Sequence, residues 1–192
     1  NETLGGATTH CEISGVTDYK AKDDKDALNK IKNILDKIGD YDKDGLQDIY
    51  VSNDKEENIN RLYRNLGDGV FQDVSDFSNA GIDISAMSTT LGDFNNDGWF
   101  DIYITNTPFS QISSIIGNVL LKNNGDGTFT NIATETGTSF NSLGWGSVFL
   151  DADNDGFLDL VVVFVPSIFP SRVNDFRVLW GNGKGFTLAN SS

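Results

Sequence analysis

From Asp40 onward, the apolar residues of this 192-residue chain fall in short runs rich in β-branched and aromatic side chains, each closed by a cluster of Asp, Asn and Gly. Runs of that length between such turn formers predict strands joined by tight turns. In the middle of the chain the predicted strands are MSTTLGDF, DIYITNT, NVLLKNN and TFTNIAT; near its end they are GWGSVFLD, LDLVVVFV, FRVLWGN and GFTLANS. Each set of four reads as one antiparallel sheet. Ahead of Asp40 the period changes. Ala27, Leu28, Ile31, Ile34, Leu35 and Ile38 recur at helical spacing, with Asp23 or Asp24 placed as an N-cap and Gly39 as the stop. A short N-terminal helix is therefore expected where the later units carry their first strand.

The same plan is written three times. DYDKDGLQD from Asp40, DFNNDGWFD from Asp93 and DADNDGFLD from Asp151 begin 53 and 58 residues apart. A second motif follows each of the first two, NRLYRNLGDGVFQDVS from Asn60 and NVLLKNNGDGTFTNIA from Asn118, and a degraded copy, RVLWGNGKGFTLANSS, closes the chain. Internal repetition at this period marks units that share a core by stacking. The expected organisation is an extension and helix over 1–39, followed by one all-β domain over 40–192. That domain holds three four-stranded antiparallel, blade-like repeats at about 40–92, 93–150 and 151–192, a partial β-propeller-like array.

The repeated acidic loop has the form D-x-[DN]-x-D-G-x-x-D. Its odd positions turn toward a common centre, its glycine permits the tight bend, and the oxygens of positions 1, 3, 5 and 9 and of the position-7 carbonyl converge. Hard oxygen donors in that number suit calcium. Without a cation, carboxylates about 4 Å apart repel by roughly 4 kcal/mol per pair at an effective dielectric near 20. An Asp/Asn-Gly turn that needs no metal is the alternative for one copy; three copies with the same ligand positions weigh further against it. An EF-hand is excluded, because position 12 is Val51, Ile104 or Val162 within a predicted strand, not a glutamate before a helix.

These paired motifs resemble FG-GAP/VCBS repeats, as in the integrin α-subunit propeller, and LGWGSVFLDADNDGFLDLVV with LYRNLGDGVFQDVS is similar to the secreted UnbV/ASPIC-type repeat proteins. The resemblance implies about three calcium ions per chain. It would place them at Asp40, Asp42, Asp44, the Leu46 carbonyl and Asp48; at Asp93, Asn95, Asp97, the Trp99 carbonyl and Asp101; and at Asp151, Asp153, Asp155, the Phe157 carbonyl and Asp159. Asn95 departs from the all-aspartate version, so the second loop is expected to bind most weakly. Three blades are fewer than the four to eight that close a propeller ring.

Composition narrows the partners. A net charge of −14, from 28 acidic and 14 basic residues, argues against nucleic acid and anionic membrane. The longest apolar run, Leu160 to Val165, is too short to span a bilayer. Asn1 opens the chain with no charged-then-apolar leader, which suits a mature secreted form, extracellular or at the cell surface. Cys11 is the single cysteine and His10 the single histidine, too few ligands for a zinc site; Cys11 is expected to be inert or to bridge two chains. Glycosylation sequons at Asn1 and Asn190 are short enough to arise by chance.

No nucleophile has an evident base partner, and the paired carboxylates sit in cation loops, so no enzyme is expected and no catalytic residue is assigned. The expected function is a secreted, calcium-stabilised structural or adhesive module that assembles with copies of itself into an oligomer or filament. The segment 1–15 and the apolar connections holding Phe109, Ile112, Ile115, Ile116, Ile168 and Phe169 are candidates to cover its open flanks. The alternative is a lectin-like module for glycans or extracellular proteins, in which Trp99, Trp145 and Trp180 stack on sugar rings. Core packing between sheets is the more ordinary expectation for those tryptophans.

Overall fold

A computed structural model describes residues 22–23, 25–26, 39–54, 58–107, 114–140, 142–165 and 175–189. The chain divides into two compact units, Asn1–Ile38 and Gly39–Ser192. In the first, Asp23 Oδ1 accepts the Asp26 amide at 2.8 Å, the bond an N-cap makes, and Lys25 and Asp26 are helical. The rest of the expected helix lies outside the described residues, as do His10, Cys11 and both sequons.

The second unit is all-β among the described residues. It holds eleven strands: β1 (Ile49–Val51), β2 (Arg61–Asn65), β3 (Phe71–Asp73), β4 (Ala86–Gly92), β5 (Asp101–Asn106), β6 (Val119–Asn123), β7 (Phe129–Asn131), β8 (Leu143–Leu150), β9 (Asp159–Val165), β10 (Asp175–Gly181) and β11 (Phe186–Leu188). They form three antiparallel sheets in which neighbours in sequence are neighbours in space: β1-β2-β3, β4-β5-β6-β7 and β8-β9-β10-β11. The expectation of three four-stranded blades is corrected for the first, which has three strands among the described residues. The alternating pattern that makes β4 and β8 is absent before Asp40, where the apolar spacing is helical instead.

The sheets stack, and the second is covered on both faces. Successive strand residues point to opposite faces, so Ile102, Ile104, Val119, Leu121 and Phe129 enter one core with Tyr41 and Leu62 of the first blade. Tyr103 and Leu120, one position out of phase, enter the other core with Leu160, Val162 and Leu179 of the third blade. This explains why all six residues of β5 are buried while β1 and β8, in the outer sheets, are mostly exposed or half-buried.

Polar bonds fix the stacking register. The Ala86 amide donates to the Asn53 carbonyl at 2.9 Å, and the Asn123 side-chain amide donates to the Tyr41 carbonyl at 2.8 Å. Between the second and third blades, the Phe186 amide donates to the Thr136 carbonyl at 3.3 Å and the Thr105 hydroxyl to the Trp145 carbonyl at 3.2 Å.

The tryptophan expectation is also corrected. Trp145 is 46% exposed and Trp180 36% exposed. Trp145 sits at the bulge between Gly144 and Gly146, and Trp180 lies on the face of the third sheet turned away from the second. Of the apolar connections, Ile115 packs against the first core and Ile116 is exposed, whereas Phe109, Ile112, Ile168 and Phe169 lie outside the described residues.

Candidate metal centre

Each acidic loop joins the end of one strand position to the start of the next, and the three share one wiring. The position-1 carboxylate accepts the amide of the position-6 glycine: Gly45 to Asp40 at 2.8 Å, Gly98 to Asp93 at 2.8 Å and Gly156 to Asp151 at 3.0 Å. The position-5 carboxylate accepts the position-7 amide: Leu46 to Asp44 at 2.9 Å, Trp99 to Asp97 at 3.0 Å and Phe157 to Asp155 at 2.8 Å. Position 3 accepts the position-5 amide, at 3.2 Å for Asp42, 3.0 Å for Asn95 and 3.2 Å for Asp153.

These bonds require the backbone to bend twice. The glycines take φ of 89°, 84° and 89°, and position 4 also takes the left-handed region, at Lys43, Asn96 and Asn154. Asparagine tolerates that conformation better than lysine does.

Position 9 anchors the loop to the sheet. Asp48 accepts the Tyr41 and Asn65 amides at 3.0 and 2.8 Å; Asp101 accepts those of Phe94 and Asn123 at 3.3 and 2.8 Å; Asp159 accepts those of Ala152 and Gly181 at 2.8 Å each. Asn65, Asn123 and Gly181 end β2, β6 and β10, the strand after the one each loop leads into, so the second sequence motif supplies the amide that holds the last carboxylate of the first. Asp101 and Asp159 are fully buried. With no cation, burial above all raises the Asp101 carboxyl to about 7 and the Asp48 carboxyl to about 6, against the lowering pull of their backbone amides.

The loops differ in how they gather charge. Asp40, Asp42 and Asp48 bring carboxylate oxygens within 4.8 Å of one another, and Asp151, Asp153 and Asp159 do the same. Asp40 Oδ1 is buried with no hydrogen-bond partner, the condition of an oxygen that a cation would satisfy. The donor set is all hard oxygen, so the residues present fit calcium.

Asp93, Asp97 and Asp101 do not gather in this way. Asn95 replaces one carboxylate and bonds Asp97 at 2.9 Å, while Lys122 Nζ lies 3.2 Å from Asp97. Burial pushes the Asp97 carboxyl up, but the Trp99 amide, Asn95 and Lys122 outweigh it and hold the group below its ordinary value.

A basic side chain at the same place in the first blade, Arg64, pairs with Asp42 at 2.6 Å and Asp44 at 3.1 Å. Trp180 stands there in the third. Arg64, Lys122 and the three anchoring amides were missed by reasoning from the loops alone; the constant distance between the two motifs is the signal that could have found them.

Residues 40–104 and 113–162, more than half of the chain, match the FG-GAP-like repeat family, and the chain belongs to it. That family comprises β-propeller-like modules typical of extracellular or cell-surface proteins. A 51-residue stretch is also 41% identical to the mitochondrial methylcrotonoyl-CoA carboxylase beta chain of Arabidopsis thaliana. It covers 27% of this chain and 9% of that protein, about one repeat unit. No described helix is long and apolar enough to cross a membrane.

Proposed function

We propose that this protein is a secreted structural or adhesive module whose three acidic loops are tied by calcium and which assembles with copies of itself. The observation that carries the reading is the repeated wiring of the loops. Amides of the loop itself hold the carboxylates at positions 1 and 5 in each copy, a loop amide and a strand-end amide hold position 9, and two of the three loops bring three carboxylate oxygens within 4.8 Å. Mutual repulsion at that separation is about 3 to 4 kcal/mol per pair at an effective dielectric near 20. A calcium ion removes that penalty and ties both strands of the hairpin to one point. Asp40, Asp42, Asp44, Asp48 and the Leu46 carbonyl would hold one ion, and the matching residues of the other loops the rest. No catalytic step belongs to this reading, since the gathered carboxylates serve the cation.

Differential scanning calorimetry of the full chain tests it. Calcium should raise the melting temperature, chelator should lower it, and magnesium should substitute poorly because it demands a smaller octahedral shell. Identical melting curves in calcium and chelator would refute the reading.

Exposed Trp145 and Trp180 favour a second reading, a lectin-like module that stacks sugars on those rings. A glycan array separates the two: a purely structural subunit binds no glycan specifically.

A further inference from the structure

The repeat makes the two outer faces of the array counterparts of faces that are already paired inside it. Counting from the loop motifs, Ile49, Val51 and Phe71 occupy in the first blade the places that Ile102, Ile104 and Phe129 occupy in the second. In the second blade those side chains pack against the first blade and are 2%, 0% and 2% exposed; in the first they are 44%, 37% and 40% exposed.

At the far end the relation is reversed. Val161 and Val178 occupy in the third blade the places of Tyr103 and Leu120, which pack against the third blade, and of Tyr50 and Leu62, which pack in the first core. Around them on the same face, Val148 is 48% exposed and Val163 37% exposed. None of these positions is charged, in a chain of net charge −14; the first blade's outer face also carries Arg61 and Asp73, which neutralise each other in an ion pair at 2.9 Å.

We propose that the outer face of the third blade docks on the outer face of the first blade of a second copy of this chain, repeating the contact that joins the blades within it. The inference rests on the self-assembly reading above and assigns its surface. Two matched but unlike faces make a heterologous contact, which propagates into a ring or a filament according to its rotation.

The loops carry the same polarity. The position-4 side chain of each of the first two reaches the next loop: Lys43 Nζ lies 3.6 Å from the centre of the Trp99 ring, and the Asn96 side-chain amide donates to the Gly156 carbonyl at 2.9 Å. Asn154 is the third such residue, and among the described residues no loop lies beyond it. The docked copy supplies one, so its first acidic loop would sit beside Asn154.

The test uses the full chain in calcium, with Ile49→Glu and Val163→Glu made separately and mass read by multi-angle light scattering at tens of micromolar. Wild type should be multimeric and each variant alone monomeric. An equimolar mixture should give a dimer, because each variant keeps the face the other has lost. Recovery of that dimer also shows that both variants fold.

Variants that assemble as wild type does would overturn this surface and leave the self-assembly reading standing, as would folded variants that stay monomeric when mixed. A monomeric wild type would overturn both and leave these faces to further repeats of a longer chain or to another protein.

Discussion

Replacing Asp159 by alanine separates the part of the loop that builds the sheet from the part that holds the cation. Asp159 is fully buried and accepts two backbone amides, from Ala152 and Gly181, at 2.8 Å each. Removing the carboxylate strands both donors, and an unsatisfied buried amide costs about 1–3 kcal/mol. Asp159→Ala should therefore lose about 4 kcal/mol in chelator, before any metal is considered. For a unit of this size each kcal/mol moves the melting temperature by about 2–4 °C, so the midpoint should fall by about 12 °C.

Asp153→Ala is the control. Asp153 accepts one exposed amide, from Asp155, at 3.2 Å, so it should cost less than about 1 kcal/mol in chelator. Both variants should lose the third loop's calcium increment, which is about 2.7 kcal/mol at free calcium 100 times Kd. Chemical denaturation with and without calcium reads the four numbers. A loss below about 1 kcal/mol for Asp159→Ala in chelator would refute the anchoring role, and an undiminished calcium increment in Asp153→Ala would refute the ligand role.

The second loop should empty first as calcium is withdrawn, and Asn95→Asp should tighten it by adding a carboxylate, both read by calorimetric titration. Arg64→Gln should tighten the first loop, because the guanidinium now 2.6 Å from Asp42 competes with a cation for the same charge; an unchanged affinity would place Arg64 outside the site's energetics. In chelator, stability should fall as pH rises from about 4 to about 7. Asp101 and Asp48, raised to about 7 and about 6 in the metal-free fold, bind protons there that the unfolded chain has already released. Calcium should reverse that slope, since it needs the ionised groups, and a rising chelator profile would contradict the assignment. Deleting residues 1–15 should weaken assembly while leaving calcium binding nearly intact if that segment bridges subunits, as mass and titration would show.

Strands and loops were legible because each rests on a local rule. Alternation placed β4 to β11 to within three residues at either end, and Asp, Asn and Gly at fixed offsets placed the acidic loops and the turns before β3, β7 and β11. The register between strands was not legible, since the bond from Gly181 to Asp159 joins residues 22 positions apart and depends on how β9 lies against β10. The tryptophans misled for a related reason. An apolar residue in a strand announces that it faces a neighbour, whereas Trp180 lies on the outer face of the third sheet and is 36% exposed. Lys122 was equally silent, because a lysine on a strand reads as solvated until the register sets it 3.2 Å from Asp97.

The most direct test of the central claim is calcium stoichiometry, measured by elemental analysis of the full chain after dialysis against trace calcium. Close to three ions per chain are expected, falling to about two in Asp153→Ala. A chain that carries none and melts identically in chelator would contradict it.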